Sequence, residues 1–362
     1  MFLIVSISKD ADVRQKTGQL IRQIVRRTYL GYIGKRLLGF IPLLFGISIV
    51  TFILIRLLPG DPAQTLAGSS PYEGVVEGIR EHMGLNEPIH IQYFIYLKNI
   101  LHGDLGKSWF TGKPVIEDMV IRLPATIELI TYGILGSVLV GFFLGISGAA
   151  HPNGIVDRSA QIYGLLAGAL PDFWVALLVI LVFFYFLRII PAPFGRLPML
   201  VDPPNTITGF LTIDSLLARD FVALKAAFAQ LAAPVFTLVI IFAGGITKMT
   251  RSTMIDALHG PSVNYAHACG LPEKVILRYA FRKILPPIIT LIGFTYAQMV
   301  GGVVLIEKVF SWNGVGRYAV QSIINKDYAP VQAFVLVAGL ISLFVYLIVD
   351  VLYMIVDPRV RL

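Results

Sequence analysis

The sequence predicts an all-α integral membrane protein with six transmembrane helices and both termini on the cytoplasmic side. Three observations carry that prediction. Of 362 residues, 56% are hydrophobic and only 14% are charged, with mean hydropathy +0.75. Soluble proteins average about 25% charged residues, so this chain cannot coat itself for water and needs lipid. Six apolar runs approach the roughly 20 residues that span a bilayer, and Lys and Arg cluster beside alternate runs.

In chain order, the predicted spans cover about 37–55, 127–150, 162–187, 232–246, 287–306 and 331–354. The fourth is the shortest, because Pro234 and the Gly244–Gly245 pair interrupt it. Such residues are tolerated in membranes where neighbouring helices cover the freed backbone.

Basic residues set the orientation. Arg14, Lys16, Arg22, Arg26, Arg27, Lys35 and Arg36 precede the first span, which places the N-terminus in the cytoplasm. Six crossings return the C-terminus, with Arg359 and Arg361, to the same side. Lys248, Arg251, Lys274, Arg278, Arg282 and Lys283 put the segment between spans four and five there too. The outside receives a large loop, 59–125, in which Val75, Val76, Ile79 and Met83 keep helical spacing. It also receives a proline-rich segment, about 188–230, and a short one after the fifth span.

Motif chemistry excludes several functions. "GDLGKSWF" ends like a nucleotide-binding loop, but position 101, where the first glycine belongs, is Leu101. No pair among the six histidines has zinc-helix spacing, and single Cys269 permits no internal disulfide or cysteine-based metal site. No Gly-x-Ser-x-Gly elbow is present. The charge of +8 follows the spans rather than a continuous basic face, which argues against nucleic acid. Ionisable residues in or near spans carry more weight; these are Glu128, Asp172, Glu307 and Asp350. Each is readable as an interfacial charge or as a proton carrier, and a proton-coupled transporter using Glu128 or Asp350 is the alternative of a different class.

The stretch 248–286 is too long and too patterned for an idle connector. It reads as short helices, "TRSTMIDAL", "NYAHAC" and "EKVILRYAFRKIL", broken at Gly270-Leu271-Pro272. Pro272 and Glu273 suit a helix start. Val275, Leu277, Ala280, Phe281, Ile284 and Leu285 form the expected apolar stripe, with Lys274, Arg278 and Arg282 on another face. A helix pair held at the membrane this way suits docking of a cytoplasmic partner.

This stretch is similar to the coupling loop of ABC importer membrane subunits, E-A-A-x-x-x-G followed by I-x-L-P. The counterparts are Asn264, Tyr265, Ala266 and Gly270, with Leu271 following, and then Ile284, Leu285 and Pro286. Further along the chain, "IRLLPGDPA", "GDLGKSWFTGKPV", "LPATIEL", "LPDFWVALLVILVF", "LIEKVFSWNGVGR" and "DPRVRL" resemble the B-type permease of the dipeptide/oligopeptide/nickel subfamily. The likeness runs from about Tyr32 to Leu362. Asn264 replaces the motif's acid, Tyr265 its first alanine, and Asn313 stands where proline is common.

The resemblance implies a type I importer permease fold in the bacterial cytoplasmic (inner) membrane. Residues 1–36 would be a cytoplasmic extension, either a basic amphipathic helix or, the favoured reading, a solvated arm; 37–362 would be the permease domain. Implied partners are a homologous second permease, two cytosolic ATPase subunits that hold ATP and Mg, an extracytoplasmic binding protein, and membrane lipid. The chain would be no enzyme and bind no cofactor, and its cargo would be di- or oligopeptides, with nickel as the alternative. Asn264, Tyr265, Ala266, Gly270, Leu271, Ile284, Leu285 and Pro286 would couple to the ATPases. Glu128, Asp172, Gln298 and Glu307 are the candidates for the translocation path or its gates.

Overall fold

A computed structural model describes residues 31, 33–53, 63, 73–82 and 85–356. Most of the N-terminal extension, the end of the first predicted span with the start of the loop after it (residues 54–62 and 64–72), Met83 and the basic C-terminal residues lie outside the described residues. The described chain is helical, and no strand occurs among those residues. Its elements are α1 (Ile33–Ile53), α2 (Glu73–His82), α3 (Ile89–Leu101), α4 (Val115–Ala150), α5 (Ile155–Ala167), α6 (Asp172–Val179), α7 (Leu211–Leu217), α8 (Phe221–Leu258), α9 (Pro261–Ala268), α10 (Glu273–Val309), α11 (Val315–Ile324) and α12 (Tyr328–Val356). Five of them, α1, α4, α8, α10 and α12, are long and apolar enough to cross a membrane.

The centre of the bundle is the pair α4 and α8. Gly133, Ser137, Gly141 and Gly145 recur every fourth residue, so one side of α4 is nearly bare. A Cβ on Gly133 would meet Leu238 at 2.6 Å, on Gly141 Ile246 at 2.5 Å, and on Gly145 Thr250 at 2.6 Å. The contacts advance together along both helices, so α4 and α8 run parallel. Small residues at such spacing let backbones approach, the main source of helix association where lipid supplies no hydrophobic drive.

Parallel partners require the chain between them to cross back. It does so through α5 and α6, which meet at 113° across residues 168–171, with α6 continuing as a π-helical stretch, Ile180–Phe186. The expected third span, 162–187, is therefore broken in two. Pro171 ends the first half, since proline disfavours helix in the residue before it. Each half is about 20 Å long, short of the roughly 30 Å hydrocarbon core, so neither half crosses a bilayer alone.

Two other boundaries differ from the sequence reading. The run 232–246 belongs to α8, with 38 residues the longest helix described, and Pro234 lies inside it without ending it. Asp220 caps its start, accepting from the Val222 and Ala223 N–H groups at 3.1 and 2.9 Å. The expected helices within 248–286 also run on into the spans on either side. "TRSTMIDAL" finishes α8, "EKVILRYAFRKIL" begins α10, and α10 runs on through Pro286 and Pro287.

The main core joins α4 (Leu129, Ile130, Ile134), α6 (Val175, Ala176, Val179), α8 (Leu238, Ile246) and α10 (Met299, Val303, Ile306). At one end α9 forms an elbow between α8 and α10. At the other end lie α2, α3, α7, α11 and the proline-rich segment. Arg36 of α1 reaches Asp350 of α12, with Nε 2.6 Å from Oδ2.

Candidate functional site

The elbow begins where α8 ends. Gly260 precedes α9 and Pro261 occupies its first turn, where a missing N–H costs nothing. α9 ends in a left-handed Gly270, φ +67°. Leu271 N–H donates to Ala266 O at 3.1 Å and Gly270 N–H to His267 O at 2.9 Å. This is a Schellman cap, which requires that backbone conformation at its glycine. Pro272 and Glu273 then open α10, as expected from the sequence.

Two side chains root α9. Val263 and Ala266 are buried against Met254 and Ala257 of α8 and against Ile276, Ala280, Ile284 and Ile288 of α10. The α10 stripe thus runs at four-residue spacing through Ile276, which the sequence reading omitted, while Leu277 is exposed. On the other face Asn264, Tyr265, His267, Ala268 and Cys269 all stand in the open. Tyr265 is 74% exposed. Ile284 is buried, with Leu285 and Pro286 half-buried behind it inside α10. Those three residues brace the elbow and lie outside its exposed face. A deeper brace is Asp157 at the start of α5, fully buried, which pairs with Arg251 of α8 and accepts the Asn153 N–H at 2.8 Å.

The four path candidates divide sharply. Glu128 is 1% exposed. Its Oε2 accepts from Arg196 at 2.6 Å, and its Oε1 from the Thr212 N–H and hydroxyl at 2.8 and 2.6 Å. Arg196 also donates to Gly209 O at 2.9 Å. Glu128 therefore clasps the segment after the broken span onto α4.

Glu307 is fully buried. It accepts from Thr126 Oγ1 at 2.5 Å and from the Arg317 N–H at 2.8 Å, capping α11. Gly314 leaves room for it, since a Cβ there would collide with the Glu307 carboxylate. Asp172 and Gln298 differ from both: Asp172 is half-buried and Gln298 exposed, and neither has a hydrogen-bond or ion-pair partner among the described residues.

At the α11 end, the GKS turn has a structural job. Ser108 is buried and its hydroxyl donates to Asp327 Oδ2 at 2.5 Å, while Gly106 adopts φ +85°. Asp118 accepts from Thr111 and Tyr318 at 2.7 and 3.0 Å beside it. Burial pushes the Asp327 carboxyl above the usual carboxylate range. Ser108 and the Phe110 and Trp109 N–H groups pull it partly back, and the Asp118 charge adds to the rise. A carboxyl raised in the folded state contributes stability that is full below its unfolded value, about 3.9, and lost as pH rises through the folded value. The thermal midpoint in detergent is expected to fall as pH rises above about 4, and Asp327→Asn is expected to flatten that part of the curve.

Among the described residues no group of three or more His, Cys, Asp or Glu side chains is disposed to hold a metal ion. Comparison with known proteins gives the class. Residues 137–362 match the family "Binding-protein-dependent transport system inner membrane component", and residues 29–130 match that family's N-terminal model. The chain belongs to this family.

As a binding-protein-dependent inner membrane component, it is a multi-pass permease subunit of an ABC transport system. Full-length relatives agree. It is 36% identical to the probable D,D-dipeptide transport system permease protein DdpB of Escherichia coli, over 92% of this chain and 98% of the relative. It is 35% identical to the dipeptide transport system permease protein DppB of Alkalihalophilus pseudofirmus, over 92% and 99%. The di/tripeptide permease DppB of Pseudomonas aeruginosa is 34% identical, over 92% and 99%.

Proposed function

We propose that the chain is one of two homologous membrane subunits of an ATP-driven importer of short peptides, and that α9 is its coupling helix. The cargo class rests on the names of the relatives. The observation that carries the coupling reading is the two-sided build of α9. Val263 and Ala266 fix it to both α8 and α10, so a push on α9 reaches two spanning helices together. Its outer face offers a bare Tyr265 between Asn264 and His267, the kind of aromatic anchor that dominates protein interfaces. The basic residues at this end, from Lys248 to Lys283, favour the cytoplasm, where ATP and Mg would be held by two partner ATPase subunits. An extracytoplasmic binding protein would deliver cargo at the α11 end. The proton-coupled alternative loses its two carriers, since Glu128 is held by Arg196 and Asp350 by Arg36.

The test is purification of the tagged chain from its own membrane in mild detergent, followed by ATPase and peptide-uptake assays. Wild type is expected to bring down a second permease and ATPase subunits. Tyr265→Ala, which leaves the buried face of α9 intact, is expected to weaken ATPase retention by about 2 kcal/mol, roughly 30-fold in Kd. Equal retention and equal uptake in both proteins would overturn the coupling role of α9.

A further inference from the structure

Asp172 is an ionisable side chain that the architecture leaves unused. It stands at the first position of α6, immediately after the break in the α5–α6 span. The break lies deep in the bundle, because Ala167 packs on Gly244 near the middle of α8. On the other side is α10. A Cβ on Gly302 would lie 3.3 Å from Asp172 Oδ2 and 3.6 Å from the Phe242 ring. The glycine thus makes space for the carboxylate against α10. Gly302 is seven residues from the end of α10 at Val309, about 10 Å along the axis.

Four other carboxylates of these helices, all better buried or paired, are satisfied: Glu128 by Arg196, Asp157 by Arg251, Glu307 by Thr126 and Asp350 by Arg36. Asp172, by contrast, is half-buried and has no hydrogen-bond or ion-pair partner among the described residues. Facing the lipid core, an aspartate would cost about 2.5–3.5 kcal/mol or more. That cost favours water or a cation against its open side. Gln298 lies one helical turn before Gly302 on the same side of α10, also exposed and unpartnered among the described residues. A charged acceptor and a neutral amide, both uncommitted, thus share one wall at the break.

We propose that Asp172 is a cargo-contacting residue of the translocation path, whose carboxylate receives the ammonium group of a passing peptide, terminal or lysyl. Gln298 offers its amide to the peptide bond beside it. The proposal rests on the peptide-import reading and adds a preference to it: the path favours cargo with extra positive charge and disfavours cargo with extra negative charge.

The experiment uses the whole importer reconstituted in liposomes with its ATPase and binding-protein partners, and uptake of Ala-Lys and Ala-Glu is measured separately at saturating peptide. Saturation keeps capture by the binding protein out of the ratio of the two rates. Wild type is expected to favour Ala-Lys. Asp172→Asn is expected to lower the Ala-Lys to Ala-Glu ratio about tenfold, the effect of one charge-assisted contact, and Asp172→Glu to restore it. A fall of both rates by one factor in Asp172→Asn would make the residue structural and overturn the proposal. So would loss of the second permease on purification, which would make Asp172 an anchor for that subunit. Uptake of neither peptide by wild type would fail the peptide reading itself, and this inference with it.

Discussion

Gly141→Leu is expected to prevent α4 and α8 from packing and to leave little folded protein in the membrane. The α4 backbone at Gly141 is so close to α8 that even a methyl group meets Ile246 Cγ2 at 2.5 Å and Cβ at 2.7 Å. Ile246 is fully buried and β-branched, so it has no empty rotamer to retreat into. Overpacking of this kind costs about 1–3 kcal/mol for a small insertion, which sets the expectation for Gly141→Ala. Leucine adds three further carbons at the same place. Gly245→Ala is the matched control: it lies in α8, its added Cβ meets nothing within 4 Å, and it is expected to be within about 1 kcal/mol of wild type. Thermal unfolding in detergent, with the yield of monodisperse protein, measures all three. A Gly141→Leu protein as stable as the control would show that the two helices do not need their close approach.

The same stripe illustrates what the sequence makes legible. Apolar length located five membrane helices directly, because hydropathy depends on composition alone. The spacing Gly133, Ser137, Gly141, Gly145 was equally visible in the sequence. Its meaning needed the partner helix, since a bare face is informative only when something is known to pack on it. Helix ends were harder to place. Pro234, Pro286 and Pro287 suggest boundaries, but neighbouring helices keep α8 and α10 continuous through them. Pro171 does break its span, yet in sequence it looks no different from the other three.

The elbow was read well where local rules decide it. Gly270, Pro272 and Glu273 act through their own backbone and first-turn charge, and the structure places a cap and a helix start there. The anchoring of α9 was missed because Val263 and Ile276 are ordinary apolar residues whose burial depends on the angle between α8 and α10. Among the path candidates, sequence could nominate ionisable residues and could not see their partners. Arg196 lies 68 positions from Glu128, and Glu307 finds its partner Thr126 181 positions away. Pairing across such separations turned two of the four candidates into clasps and left Asp172 and Gln298 uncommitted.

The Glu128 clasp supplies the second large expectation. Arg196→Ala would leave a carboxylate that is 1% exposed with no cation, facing only Thr212. Removing one partner of a buried pair typically costs about 3–5 kcal/mol, because the surviving charge stays desolvated. Glu128→Gln keeps the side chain's shape and its acceptor for Thr212 while removing the charge. Arg196, 20% exposed at its side chain, can turn toward water, so this variant is expected to lose less. The double variant is then expected to be more stable than Arg196→Ala alone, since no uncompensated anion remains. That inversion separates a charge clasp from simple packing, for which the two losses would add. The loosened part would be local: Arg196 and Thr212 tie the segment between α6 and α8 to α4. Protease cleavage within residues 188–220 should therefore rise in Arg196→Ala before the bundle unfolds. Additive losses, or cleavage unchanged from wild type, would mean that Glu128 and Arg196 are held in place by the fold rather than holding it.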